Sequence, residues 1–200
     1  QNRPTRIFEY TGADALIADI GSGPDRMSEK FINLDLFPFP GVDVIGSADR
    51  LPFKDATFDG LTSESLLEHV PDPKGVAAEM IRVVKPGGYI YASAPFIHPF
   101  HASPDDFNRF TKSGLKELFP GFEVVEVGVR SGPWSAFLIF LAYWLGVIFS
   151  FGSRRASPFL AHIFMLILGP LKFFDILFSK LPDAEAVSAH LYIIARKPKR

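Results

Sequence analysis

At 200 residues the chain has the length of one domain, or of one domain with a large insertion. A formal charge of −1 excludes a basic nucleic-acid-binding face as its main business, and the absence of cysteine excludes a disulfide framework and a thiolate metal site. Phenylalanine is in excess at 21 residues, and much of the aromatic and aliphatic surplus lies between Trp134 and Phe178, whereas residues 1–130 have an ordinary soluble composition.

From Gln1 onward no basic stretch followed by an apolar one marks a secretory signal, and a cytoplasmic location is expected. The polar start, Gln1–Tyr10, reads as an arm or a frayed terminus. The first firm element is Ala15-Leu-Ile-Ala-Asp-Ile-Gly-Ser-Gly23. Residues 15–20 have the continuous apolar character of a buried parallel strand, and Gly21 and Gly23 let the following turn take positive φ and approach a ligand. Asp19 stands where it can bond a group held over the strand's carboxyl end. Between Gly23 and the next apolar run there is room for about two turns of helix, Pro24–Lys30, where a full crossover takes a dozen residues or more.

A single Gly-x-Gly is a weak signal. The succession of motifs after Gly23 is specific: Asp35 after Phe31-Ile-Asn-Leu, then Ala48-Asp-Arg-Leu-Pro-Phe53, Phe58-Asp59, Leu66-Leu-Glu-His-Val70 and Arg82-Val-Val-Lys-Pro-Gly-Gly88. In this order of marks the chain resembles the class I S-adenosylmethionine-dependent methyltransferases, in the type 11 branch that holds the quinone-biosynthesis-like enzymes. The resemblance covers residues 15 to about 128 and resumes near the C-terminus.

The resemblance implies a Rossmann-like, mostly parallel α/β sheet of seven strands in the order 3-2-1-4-5-7-6, as a single methyltransferase domain over residues 1–200. It implies S-adenosylmethionine as cofactor, held by Asp19, Gly21, Ser22 and Gly23, with the ribose hydroxyls on Asp35 and Leu36 beside it. The adenine end falls on Ser47, Ala48 and Asp49. Similar enzymes place an acid directly before the alanine, and here that place holds Ser47, so either Asp49 substitutes or Ser47 and backbone groups do the binding. Leu51-Pro-Phe53 packs on the adenine or anchors a turn in the core. Strand four, Phe58–Ser63, carries Ser63 and Glu64 toward the methyl group, and His69 either orients the reactants or has a capping or core role.

Pro73–Val84 has the spacing of an amphipathic helix, stopped by Lys85-Pro-Gly-Gly88 before a fifth strand, Tyr89–Ala94. The long segment from Pro95 to Thr111 bears His98, His101, Asp105, Asp106 and Arg109 and ends on Thr111 as a helix N-cap. Two readings stand level: a structural loop pinned by Arg109 on Asp105 or Asp106, and an acceptor site in which a histidine takes the proton of a hydroxyl or an acidic carbon. His98, His101 and His69 are the candidate catalytic residues, and no metal is expected, because three-residue histidine spacing in a proline-containing loop is a poor ligand template.

Strands six, Phe122–Val129, and seven, Ala189–Arg196, enclose an apolar helical insertion at 133–181. From Ser131 through Ser153 there is no charged residue, a length that just spans a bilayer core. The second segment breaks at Gly169-Pro170 after about three turns. Carrying Arg154-Arg155 across a bilayer is costly, so helices lying in or dipping into a membrane surface are preferred, ahead of a homodimer interface and of a true spanning hairpin. The expected partner is a small or lipid-linked acceptor, such as a quinone precursor, lipid or lipid-linked saccharide, with no nucleic acid. The competing expectation is a non-catalytic, membrane-docked scaffold of the same fold.

Overall fold

Four short apolar runs separated by turn residues become the centre of a parallel sheet. The computed structural model describes residues 3–199 and contains β1 (Ile17–Ile20), β2 (Phe31–Asp35), β3 (Val44–Ile45), β4 (Phe58–Glu64), β5 (Val84–Pro95), β6 (Glu123–Ser131) and β7 (His190–Arg196). Their order is β3-β2-β1-β4-β5-β7-β6, as the sequence led us to expect. The helices are α1 (Phe8–Thr11), α2 (Pro73–Val83), α3 (Lys112–Glu117), α4 (Pro133–Phe149), α5 (Ala156–Leu168) and α6 (Asp175–Phe178). Every residue of β1 is buried, which explains its lack of hydrophobic alternation: it lies between β2 and β4, with Ile17 opposite both Phe31 and Gly60.

The chain divides into two compact units. The first is Gln1–Ala94, Ala102–Gly128 and Tyr192–Arg200. Its core cluster joins Ile7, Ile17, Phe31, Tyr91, Tyr192 and Ile194, with the Tyr91 and Tyr192 rings stacked 5.6 Å apart. Asp72 caps α2 through the Gly75 N–H, and Thr111 caps α3 through the Gly114 N–H, so the helix start expected at Thr111 is observed.

The supposed arm at the start is tied down. Arg6 donates to both carboxylate oxygens of Glu126, at 2.9 and 3.0 Å, while Tyr10 and Tyr192 donate to the same carboxylate. The Arg6 hydrogen bond, opposed by partial burial and helped by the two tyrosines, holds Glu126 down to about pKa 2 from 4.5. A depressed folded-state carboxylate stabilises fully above its unfolded value and loses that contribution as the pH falls through its folded one. Glu126→Gln is therefore expected to melt at lower temperature than the parent at neutral pH. The gap should close between about pH 4.5 and 2 in melts followed by circular dichroism.

Two local expectations need correction in this unit. Pro24–Lys30 forms turns and bends and no helix. Arg26 instead reaches across to Asp43, at 2.7 Å, and to the Phe31 carbonyl, so a side chain holds the crossover where a backbone ladder was expected. Lys85–Gly88 does not end a helix before a separate strand but lies inside β5 as a bulge. Pairing runs from Phe58 with Val84 directly to Gly60 with Tyr89, and Lys85 reaches Asp59 at 2.7 Å.

The second unit, Pro95–His101 and Val129–Leu191, contains the apolar insertion. Here α4 and α5 pack as an antiparallel hairpin through small residues. A Cβ on Gly146 would lie 2.7 Å from the Ser157 carbonyl oxygen and 2.8 Å from Ala161, so only glycine permits this crossing. Ala136, Ala142, Gly146 and Ser150 are buried, while Phe137, Phe140, Trp144, Val147 and Ile148 point outward. The expected break at Gly169-Pro170 does not occur. Gly169 keeps right-handed helical angles and Gly169–Phe174 tightens into a 3-10 segment that runs on into α6, because proline at the first position of a turn has no N–H to lose. Ala156–Phe178 is thus one apolar helical run of 23 residues.

Gly132 offers no side chain to cap α4, and Asp175 does so from α6. Its carboxylate accepts from the N–H groups of Gly132, Trp134 and Ser135 and from the Ser135 hydroxyl. Trp134 stacks on Phe137 and Phe178 over this point.

Candidate functional site

The carboxyl ends of β1, β2 and β4 lie side by side, and their register brings most of the expected cofactor residues together. Asp19 is opposite Asn33 on β2 and Thr62 on β4, and Asp35 closes β2 opposite Ile45. Gly21 and Gly23 have φ of +73° and +61°. The Gly21 N–H and the Ser22 N–H both donate to the Leu34 carbonyl, which folds the turn back onto β2. A side chain on Gly21 would strike Leu66, whereas nothing lies within 4 Å of where a Cβ on Gly23 would sit. The turn therefore presents bare backbone on its Gly23 side.

Asp35 completes the turn. One carboxylate oxygen accepts from the Gly23 N–H at 2.8 Å and the other from the Phe37 N–H at 2.9 Å. Each oxygen keeps a further acceptor site, since an ionised carboxylate accepts about four hydrogen bonds. Leu36 and Ile45, beside it, are 57 % and 64 % exposed, an unusual degree for apolar residues at strand ends.

Asp19 is wholly buried. One oxygen accepts from the Thr62 hydroxyl at 2.8 Å; the other has no partner. Burial drives its pKa up from 3.8 to about 6, against the Thr62 hydrogen bond and with help from the charges of Glu64 and Asp35. A carboxyl whose folded pKa is raised makes stability fall as the pH climbs from the unfolded value to the folded one. Asp19→Asn is expected to remove that loss: the variant should melt at or above the parent temperature at neutral pH, with no fall between about pH 3.8 and 6. The Ser63 hydroxyl, on β4, is likewise buried without a partner.

The adenine-side residues divide by exposure. Ala48 is buried, while Ser47 and Asp49 are exposed on the loop after β3. The segment Leu51-Pro-Phe53 is an anchored turn: Arg82 donates to the Leu51 and Phe53 carbonyls at 3.0 and 2.8 Å, and Glu79 accepts from the Leu51 N–H. Sequence reading missed these two polar residues, whose signal was their place on the charged face of α2, three residues apart.

The segment after β4 is a turn, with Ser65 at φ +56° and the His69 N–H bonded to the Leu66 carbonyl. The chain at 105–109 is hooked onto it. The Glu68 carbonyl accepts from the Phe107 N–H at 2.7 Å, Asn108 donates to the Val70 carbonyl, and Arg109 pairs with Asp106 at 2.5 and 2.6 Å. For this half of the long loop the pinning role foreseen for Arg109 is the observed geometry. His69 Nδ1 lies 2.6 Å from the Asp105 carbonyl. A carbonyl only accepts, so Nδ1 carries the proton and Nε2 the lone pair in the neutral ring. Glu68 is buried, and desolvation raises its pKa to about 7 while the Arg109 charge opposes the shift.

His98 and His101 belong to the second unit. Both turn Nδ1 to the Pro99 carbonyl, at 2.8 and 3.3 Å, with ring centres 4.3 Å apart. His190 stands edge-on to His98 at 5.3 Å; it was not among the sequence candidates.

Residues 5–92 match the family model of a methyltransferase domain. A methyltransferase of Mycobacterium leprae is 40 % identical over 86 residues, 43 % of this chain and 32 % of that protein. Over residues 5–92 the chain is thus similar to methyltransferase domains. A demethylmenaquinone methyltransferase of Renibacterium salmoninarum is 48 % identical over 61 residues, 30 % of this chain and 25 % of that protein. The chain spans a third or less of the length of these relatives. Its fold is shared with phosphoethanolamine N-methyltransferase 2 of Haemonchus contortus, solved with phosphomonomethylethanolamine and S-adenosylhomocysteine. The TM-score is 0.61 at 16 % identity, over 98 % of this chain and 52 % of that one.

Proposed function

We propose that the chain is an S-adenosylmethionine-dependent methyltransferase acting on a small or amphiphilic acceptor of the quinone-precursor, lipid or lipid-linked saccharide class, at the cytoplasmic face of a membrane. The observation that carries this reading is Asp35, a carboxylate fixed by two backbone N–H groups at the carboxyl end of β2 with acceptor capacity to spare. It suits the two ribose hydroxyls. The unpaired oxygen of Asp19 suits an ammonium group, Gly23 leaves room for close approach, and the exposed Leu36 and Ile45 offer apolar surface to an adenine. Ser47 or Asp49 would meet its amine, and Ser63 and Glu64 would stand nearest the methyl.

When bound, the cofactor supplies an already activated sulfonium methyl, so the protein's part is to align the acceptor and exclude water. The chain's own base, where the acceptor is protonated, is His98, His101 or His69, each with Nδ1 turned to a carbonyl. The demethylmenaquinone relative supports the quinone-like end of the acceptor class, and the exposed apolar residues of the insertion support the membrane placement.

One observation favours a second reading, a non-catalytic scaffold of the same fold. The N–H groups of Gly21, Ser22 and Gly23 are all committed within the turn, and no helix follows it among the described residues, so the usual donors to the cofactor's carboxylate are absent. Calorimetric titration with S-adenosylmethionine separates the two. Stoichiometric binding at micromolar ligand is expected, and no heat up to millimolar ligand would leave the scaffold.

A further inference from the structure

The insertion is built inside-out for water. Between Ser131 and Phe174 there is no aspartate or glutamate, and the only full charges are Arg154, Arg155 and Lys172. A helix pair folded by water buries its large apolar residues between the helices and turns polar ones outward. Here the small residues Ala142, Gly146 and Ala161 are inside with Leu138, and most of the exposed residues, Phe137, Phe140, Trp144, Val147, Ile148 and Phe159 among them, are aromatic or branched. Association through small residues, with backbones in close approach, is how helices pair where the solvent is itself apolar. Nor has either helix the charged face that an interfacial helix needs: α4 carries only Ser135 and Tyr143, beside its tryptophans, as side chains with a polar group. A second copy of the chain would cover one side of such a hairpin, whereas a bilayer covers every side.

We propose that α4 and α5 cross the hydrocarbon core as a hairpin, tip first, with Arg154 and Arg155 among anionic lipid headgroups of the far leaflet. The inference rests on the membrane placement proposed above and replaces lying on the surface by crossing. The dimensions agree. The 17 residues of α4 span about 26 Å of helix axis against a core of about 30 Å. At the base, Trp134 sits in an aromatic cluster with Phe137, Phe174 and Phe178, at the level where tryptophan favours the interface. At the tip, Ser150–Arg155 is the turn that Phe151, 92 % exposed, and both arginines occupy. Passage of the two arginines through the core is a barrier to insertion; once across they meet phosphates and snorkel.

The chain's two tryptophans, Trp134 and Trp144, lie on the same helix about 15 Å apart along its axis, and they make the test. The full chain is reconstituted into phosphatidylcholine and phosphatidylglycerol vesicles containing lipids brominated at shallow or deep acyl positions. In the Trp134→Phe variant the remaining Trp144 should be quenched several-fold better by deep than by shallow bromines. In the Trp144→Phe variant the remaining Trp134 should show the reverse order. A third variant, Phe151→Trp with both native tryptophans replaced by phenylalanine, should return to shallow quenching. Shallow quenching of Trp144, or deep quenching at position 151, overturns the crossing. Flotation with the same vesicles separates this from the wider reading: flotation without deep quenching leaves a surface-docked enzyme. No flotation, with concentration-dependent sedimentation, replaces both membrane statements by a second copy of the chain.

Discussion

Asp35→Ala is expected to lower affinity for S-adenosylhomocysteine by about 100-fold or more, measured by calorimetry. A hydrogen bond to a charged group is worth about 1.5–3 kcal/mol, and two ribose hydroxyls on one carboxylate set the scale. The same substitution strands the Gly23 and Phe37 N–H groups, so a fall in melting temperature without ligand accompanies it. Asp35→Asn resolves the two effects. The amide oxygen still accepts from one of the N–H groups, so most of the folding stability should return while affinity stays low. A variant that regains stability and affinity together would place the sugar elsewhere.

Gly146→Leu should open the α4–α5 hairpin. Even a Cβ would lie 2.7 to 2.8 Å from backbone and side-chain atoms of α5, and two of these neighbours, the Ser157 carbonyl and the Ala161 N–H, cannot rotate away. Overpacking at a site able to relax costs about 1–3 kcal/mol, and this one has little means of relaxing. Hydrogen exchange should show protection lost across Pro133–Phe149 and Ala156–Leu168 with β1, β2 and β4 unchanged. Gly146→Ala should lie between the two. Retention of full helix protection in the leucine variant would mean that the arms are held apart by something other than their own contact.

The sheet was legible because its signals are local. A buried strand, a glycine turn and an acid at the next strand end lie within 21 residues, from Ala15 to Asp35, and the strand order follows from the family pattern they announce. Thr111 was legible for the same reason, since an N-cap and its helix are adjacent. What escaped is non-local. Arg6 and Glu126 are 120 positions apart, and nothing in either neighbourhood points to the other. Arg82 and Glu79 looked like a solvated helix face until the fold brought Leu51 and Phe53 to them. The Gly169-Pro170 pair was misread because a breaker's effect depends on where the helical turn around it begins. Within the site, the residue types were legible, but the internal use of the turn's N–H groups was not, because it depends on how closely Leu34 approaches Gly21.

Asp175 acts as a clasp. It joins the residue that starts α4 to the one that starts α6, and the Ala189 N–H adds a further tie to the Gly132 carbonyl. An excursion of more than forty residues is thereby buttoned at its root, so the entropy of closing it is met by contacts that do not depend on its length. The arms beyond this button can be trimmed or extended with little strain on the strands from which they depart, so the length of the hairpin is a quantity evolution can adjust without refolding the sheet.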